Sequence, residues 1–252
     1  MPNNVFIPEL IASAITAKLG DKLKLTPITK KQDLSNQRGG DVVKVPQVQY
    51  IGSATKVPAG QPIPVADFAH NVVSVDVAKY GRAIKFTEEE VNSAYTDVQE
   101  EAEAQLIKSV ADGIEKDMFT ALGAITGAML HADAGTAFTS GAFLLAQAKF
   151  GENLDEATSI LVNGLGFAVL QADKGYNPTD RKFYGMDVIV SNRVPAKTAY
   201  LVQEDAIGLY LNQDIEVEVD KDISDQTYLV VGTAHAAVHV RDTSKAVKLT
   251  HA

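Results

Sequence analysis

The feature that most limits what this chain can fold into is a capped helical run joined directly to a long extended excursion. Thr87-Glu88-Glu89-Glu90 carries the residue types of a reciprocal capping box. In that motif the Thr87 hydroxyl accepts from the Glu90 amide while the Glu90 carboxylate accepts from the Thr87 amide. Apolar residues then recur at Val91, Ala94, Tyr95, Val98, Ala102, Leu106, Val110, Ile114, Met118, Leu122 and Ile125. Steps of three and four place them in one stripe along a helix. Unbroken, a run of about 38 residues would reach roughly 57 Å at 1.5 Å per residue. A small domain is narrower than that, so the helix is expected to pack partly outside its own domain, in a subunit surrounded by copies of itself.

The excursion precedes the helix. Val42 to Val48 reads as a strand, and Pro46 within it places it at an edge or beside a bulge. A second strand region runs from Asn71 to Phe86, with alternation at Val73, Val75 and Val77. Between them, Gly52, Pro58, Gly60, Pro62 and Pro64 forbid a helix and resist regular pairing. The segment therefore predicts a two-stranded arm with a stiff tip. A lone two-stranded ribbon is marginal in water, so the arm is expected to find its partner on another chain.

Composition narrows the function classes. The 252 residues include no Cys, which removes disulfides and thiolate metal sites. The first residues lack the basic and apolar regions of a signal peptide. No apolar run approaches the ~20 residues of a membrane helix, so a soluble protein made inside the cell is expected. The net charge of −9 argues against gripping nucleic acid through its phosphates. Charge is also uneven: residues 1–40 hold six cations against three acids, and residues 88–117 hold ten acids against two lysines. Either the acids are a solvated helix face, or a basic N-terminal arm lies across them in the same or a neighbouring subunit.

Elsewhere, residues 7–19 read as a short helix ending at Gly20, and residues 21–40 as a polar, basic arm. Residues 127–141 form a loop rich in small residues. Residues 141–222 alternate helices (143–150, 167–172) with strands (159–162, 187–190, 198–202, 215–219), as a compact α+β or α/β domain does. Strands at 227–231, 236–240 and 246–249 are expected to return near the base of the long helix.

No catalytic constellation emerges. Asn163-Gly164-Leu165-Gly166-Phe167-Ala168-Val169 follows a strand and opens a helix, as a phosphate-cradling turn does. Val169 stands where the third fingerprint glycine belongs, so a plain strand-to-helix turn is the favoured reading. His235 and His239 are four apart, but in a strand and with no nearby carboxylate; they read as packed or surface histidines. Asp220 with Asp222, and Asp173 near Asp180, sit in turn-like contexts where acids bond backbone amides. No cofactor, metal or enzymatic role is expected.

The order of parts resembles the major capsid proteins of tailed bacteriophages, with the α+β Hong Kong 97-like fold. Local signatures are Phe6-Ile7-Pro8-Glu9, Gly40-Asp41-Val42-Val43-Lys44-Val45-Pro46, Ala83-Ile84-Lys85-Phe86-Thr87-Glu88-Glu89 and Gly185-Met186-Asp187-Val188-Ile189-Val190-Ser191 with Val194-Pro195. The resemblance implies an N-terminal arm (1–40), an extended β-hairpin loop (41–86) and a spine helix (87–127). It implies an α/β axial domain at 128–222, and a peripheral β segment at 223–252. The implied protein self-assembles through pentamers and hexamers into an icosahedral shell that encloses double-stranded DNA without sequence-specific binding. It is made in the host cytoplasm, resides in the virion, and has scaffold, portal or decoration proteins as candidate partners and no membrane. The loop tip, Lys56, Val57, Pro58, Gln61, Pro62, Ile63 and Pro64, is the expected inter-subunit contact. Some members carry an N-terminal scaffolding segment; here the arm begins almost at Met1, so a separate scaffold or none is expected. Some link a loop lysine to a neighbour's asparagine. Asn163, Asn177, Asn192 and Asn212 are the formal targets for Lys56, but Lys56 is read as a surface lysine. An encapsulin-type nanocompartment shell is the alternative within the fold, and a small α/β enzyme using the Gly164 turn is the alternative outside it.

Overall fold

The capping box forms. In the computed structural model, the Thr87 amide donates to Glu90 Oε2 at 2.8 Å and the Glu90 amide to Thr87 Oγ1 at 3.2 Å. Residues 23–33, 40–48, 54, 56–63, 65, 70–93, 98–133, 135, 138–211 and 216–251 are described. In chain order, a 3-10 turn at Thr26–Ile28 leads into β1 (Thr29–Asp33), followed by β2 (Val42–Val48), β3 (His70–Asp76) and β4 (Ala78–Thr87). Two helices follow, α1 (Glu88–Ser93) and α2 (Val98–Gly123), and then β5 (Leu130–Asp133) and α3 (Ser140–Gln147). Next come β6 (Thr158–Val162), α4 (Gly164–Ala172), β7 (Tyr176–Asn177), β8 (Lys182–Phe183) and β9 (Met186–Val190). The chain closes with β10 (Thr198–Gln203), β11 (Ile207–Leu211), β12 (Glu216–Asp222), β13 (Thr227–Val240) and β14 (Ala246–His251). The helix expected at 7–19 lies outside the described residues.

The apolar stripe of α2 is buried from Leu106 onward, through Val110, Ile114, Met118 and Leu122. It packs on the chain's own β4 and β13, which corrects the expectation that this helix needs neighbouring copies to cover it. Each such side chain contributes about 1.5–3 kcal/mol relative to exposure. Residues 94–97 lie outside the described set; the described parts of the run are α1 and α2, the latter of 26 residues. Close approach of β4 is possible because Gly113 has no side chain: a Cβ there would lie 3.0 Å from the Tyr80 ring. The Tyr80 hydroxyl donates to Asp117 on the same helix. Burial, and then that carboxylate, hold the phenol well above its ordinary pKa.

β13 organises the first sheet. It pairs along one edge with β4 and along the other with β12 and then β11, all antiparallel. β1 adds in parallel to β11, with Thr29 opposite Ile207. The second sheet has the order β5-β14-β10-β6-β9-β8-β7, covered by α3 and α4. Strand pairing thus crosses the expected 222/223 boundary in both directions: β11 and β12 join β13, while β14 joins β10. Strand order in the chain does not determine which sheet a strand enters, and non-local hydrophobic burial decided it here.

Two further expectations are corrected. Residues 23–33 are no loose arm: Leu23, Leu25 and Ile28 are buried in the core that holds α2. The excursion is not coreless either. β2 and β3 pair antiparallel from Val42 opposite Asp76 to Val48 opposite His70, and Val45, Val75 and Val77 pack on Tyr210 and Ala237. β4, read as part of the excursion, is a member of the β13 sheet. Among the described residues, no helix is long and apolar enough to cross a membrane.

Candidate inter-subunit surface

Backbone chemistry shapes the arm tip. The Gln61 amide donates to the Pro58 carbonyl at 3.2 Å, closing a four-residue turn. Gly60 occupies its third position with φ of 87°, the left-handed conformation a type II turn demands. Lys56, Pro58, Gln61, Pro62 and Ile63 are exposed and Val57 is half-buried, whereas Pro64 lies outside the described residues. Ile63 is 78% exposed and Val65 is 94% exposed. Two large apolar side chains are thus left in water beside this turn.

Other large apolar side chains are exposed as well, which sequence reasoning missed. Ile223, 83% exposed, tops the β12–β13 hairpin. Its turn is fixed by Asp222, whose Oδ1 accepts from the Ser224 amide at 2.9 Å, and bonds from the Ser224 hydroxyl and amide hold that carboxylate below its usual pKa. Leu165 on α4 and Leu145 on α3 are also exposed. The signal for Ile223 was available: a lone branched apolar residue inside the polar turn Asp222-Ile223-Ser224-Asp225.

The acidic run is not uniformly a solvated face. Glu115 is 2% exposed and joins three segments. Its Oε1 accepts from the Lys24 amide at 2.5 Å, and its Oε2 from Arg193 at 3.0 Å. The other arm of the Arg193 guanidinium reaches Asp112 at 2.7 Å. The described residues 23–33 do meet α2 in the same chain, through apolar burial and the Lys24 backbone amide. At the far end of the helix, Lys248 Nζ donates to the Gly123 carbonyl at 2.7 Å, a cation where the helix dipole is negative.

The residues weighed for chemistry serve structure. Asn163 caps α4, its Oδ1 accepting from the Gly166 amide at 2.7 Å. That amide is therefore already occupied, and a Cβ at Gly166 would meet Val162 at 3.3 Å. Asp173 accepts from the Gly175 amide, and Asp180 from the Asn177 side chain. Among the described residues, no three His, Cys, Asp or Glu side chains converge as a metal site.

His235 is buried in β13. His239 lines an apolar cleft of about 630 Å³ with Val73, Ala121, Ala124 and Ile125, where the arm base meets the end of α2. Burial pushes the His239 imidazole below its ordinary pKa. The unfolded chain takes up that proton near pH 6.5 while the fold resists it. The stabilisation is therefore complete above that pH and lost as pH falls below it. Urea unfolding at neutral and mildly acidic pH should show a smaller pH-dependent loss in His239→Gln than in the parent; equal losses would refute this.

Residues 71–249 match the family of phage capsid proteins, and the chain belongs to that family as a shell-forming subunit. It is 28% identical over 262 residues to the major capsid protein of Staphylococcus phage phiMR11, covering 98% of this chain and 94% of that protein. The fold is that of Hong Kong 97-like capsids. The capsid structure of cyanophage P-SCSP1u superposes with a TM-score of 0.69 at 12% identity, covering 89% of this chain and 86% of that one. A structure from Mycobacterium phage Bobi gives 0.67 at 14% identity, covering 91% and 90%.

Proposed function

We propose that the chain forms the wall of a closed icosahedral shell, built from pentamers and hexamers, that encloses double-stranded DNA in a tailed phage particle. The observation that carries this reading is the arm. Its base is anchored in the chain's own core by Val45, Val75 and Val77, while Ile63 and Val65 at its tip are left in water. An arm held rigidly at one end and apolar at the other is built to overlap a neighbour. Lys56, Val57, Pro58, Gln61, Pro62, Ile63 and Pro64 are the proposed contact residues. Because each subunit is held at several contacts at once, modest affinity per contact suffices to close a shell.

On this reading residues 1–40 are the N-terminal segment, 41–86 the extended loop, 87–127 the spine, 128–222 the axial domain and 223–252 the returning peripheral segment, with β11, β12 and β14 exchanged between the sheets. A net charge of −9 suits a container wall, since like charge keeps DNA from adhering to it. Assembly takes place in the host cytoplasm, with scaffold, portal or decoration proteins as partners and no catalysis by the wall itself.

Electron microscopy of the purified chain, expressed alone and with its phage's other structural proteins, tests this. Closed shells or capsomers that protect DNA from nuclease are expected; shells filled with a protein cargo would favour a nanocompartment, and a monomer under every condition would overturn the reading. Deleting residues 57–64 should leave the thermal unfolding of the subunit intact and abolish shells. Normal assembly of that deletion would refute the role of the tip.

A further inference from the structure

A second concave surface is unrelated to the arm. β9 is paired with β6 over Ser159–Val162 opposite Asp187–Val190. On its other side β8 reaches only Met186 and Asp187. Val188–Val190 therefore has no strand neighbour on that side among the described residues. Two groups border this edge: the Val188 amide donates to the Arg181 carbonyl at 3.1 Å, and Lys24 Nζ donates to the Val190 carbonyl at 3.3 Å. Beside the edge lies a cleft of about 640 Å³ walled by Phe167 and Tyr176, whose rings meet edge to face at 5.7 Å. Lys24 and Arg181 both line it, and among the described residues no carboxylate does. In a chain of net charge −9, a wall with two cations and no acid is selective for negative charge.

We propose that this cleft docks an extended, acidic peptide segment of another protein, which adds alongside β9 at Val190, beyond the point where the Arg181 carbonyl takes the Val188 amide. A strand edge requires a partner with alternating amides and carbonyls, which a peptide supplies and a nucleotide or free phosphate does not. An incoming amide replaces Lys24 on the Val190 carbonyl and releases the ammonium to a peptide carboxylate. Arg181 holds a second carboxylate, and an apolar side chain between them packs on Phe167 and Tyr176. The cations give the sign of the partner, and the strand edge gives its conformation.

The test uses the full chain and a fluorescein-labelled Thr-Val-Asp-Val-Glu-Val-Thr peptide, read by anisotropy at low salt. A second peptide carries Lys in place of Asp and Glu, and a third carries Pro at the central Val. The acidic peptide should bind at least tenfold more tightly than either. It should slow exchange of the Val190 amide, since those of Val188 and Ser191 are already bonded to the Arg181 and Val162 carbonyls. Lys24→Ala with Arg181→Ala should weaken it at least tenfold without shifting the thermal unfolding midpoint. Equal binding of the acidic and lysine peptides overturns the proposal, as does protection confined to other residues. Should the double variant fail to fold, the three-peptide comparison on the unaltered chain decides alone. Binding is scored on subunits as well as shells, so a negative result leaves shell formation as a separate question.

Discussion

Replacing Arg193 with alanine should destabilise the subunit by about 3 kcal/mol, the low end of what breaking a buried ion pair costs. Arg193 comes from the loop after β9 and its side chain is 27% exposed, but the carboxylate side chain of its partner Glu115 is only 3% exposed. Without the guanidinium, the Glu115 carboxylate keeps, among the described residues, the Lys24 amide as its hydrogen-bond donor and stays trapped between α2 and the two segments it joins. The cost arises mainly from that stranded charge rather than from the lost attraction. Asp112, whose side chain is 50% exposed, can turn to water, so Asp112→Ala should cost less than about 1 kcal/mol. Denaturant unfolding of the two variants checks both values. A loss below 1 kcal/mol for Arg193→Ala would show that Glu115 finds water or another donor.

Gly232→Ala should cost about 1–3 kcal/mol, the usual penalty of overpacking a filled core. Gly232 lies on β13 where α2 crosses it. A Cβ there would stand 2.5 Å from one Leu106 methyl and 3.0 Å from its Cγ. Leu106 is 1% exposed, so it has no open side into which to retreat, and the helix must lift from the sheet. Leu106→Ala alone leaves a cavity. In the double variant the new methyl partly fills it, so the two costs should sum to more than the measured loss. Simple additivity of the pair would sink this account of the glycine.

What the sequence disclosed and what it hid divide by distance along the chain. The capping box was legible because Thr87 and Glu90 are three residues apart, and the β2–β3 pair because valines alternate on both sides of a Pro-rich turn. The tip turn could be read from Pro58 and Gly60 for the same reason. β1 could not: Thr29-Lys30-Lys31-Gln32-Asp33 is polar, and its pairing is parallel to a strand far away. β11 hid because Gly208 interrupts a short apolar run. Glu115 was counted with the acidic face, yet it stands four residues after Ala111 and three before Met118, within the apolar stripe. A carboxylate at such a position is a signal for a buried partner, and only the fold could supply Arg193, 78 residues further along the chain.

The pairing of β1 with β11 also sets an order in time. Thr29 leaves the ribosome long before Ile207 exists; at 5–20 residues per second, roughly 180 residues of synthesis take on the order of 10–40 s. Throughout that wait Leu23, Leu25 and Ile28 have no finished core to enter. Residues 23–33 are therefore made early and locked late, and this sheet cannot be completed before most of the chain has been translated. A chain cut short before β11 leaves β1 without its partner strand and Leu23, Leu25 and Ile28 without the finished core that buries them.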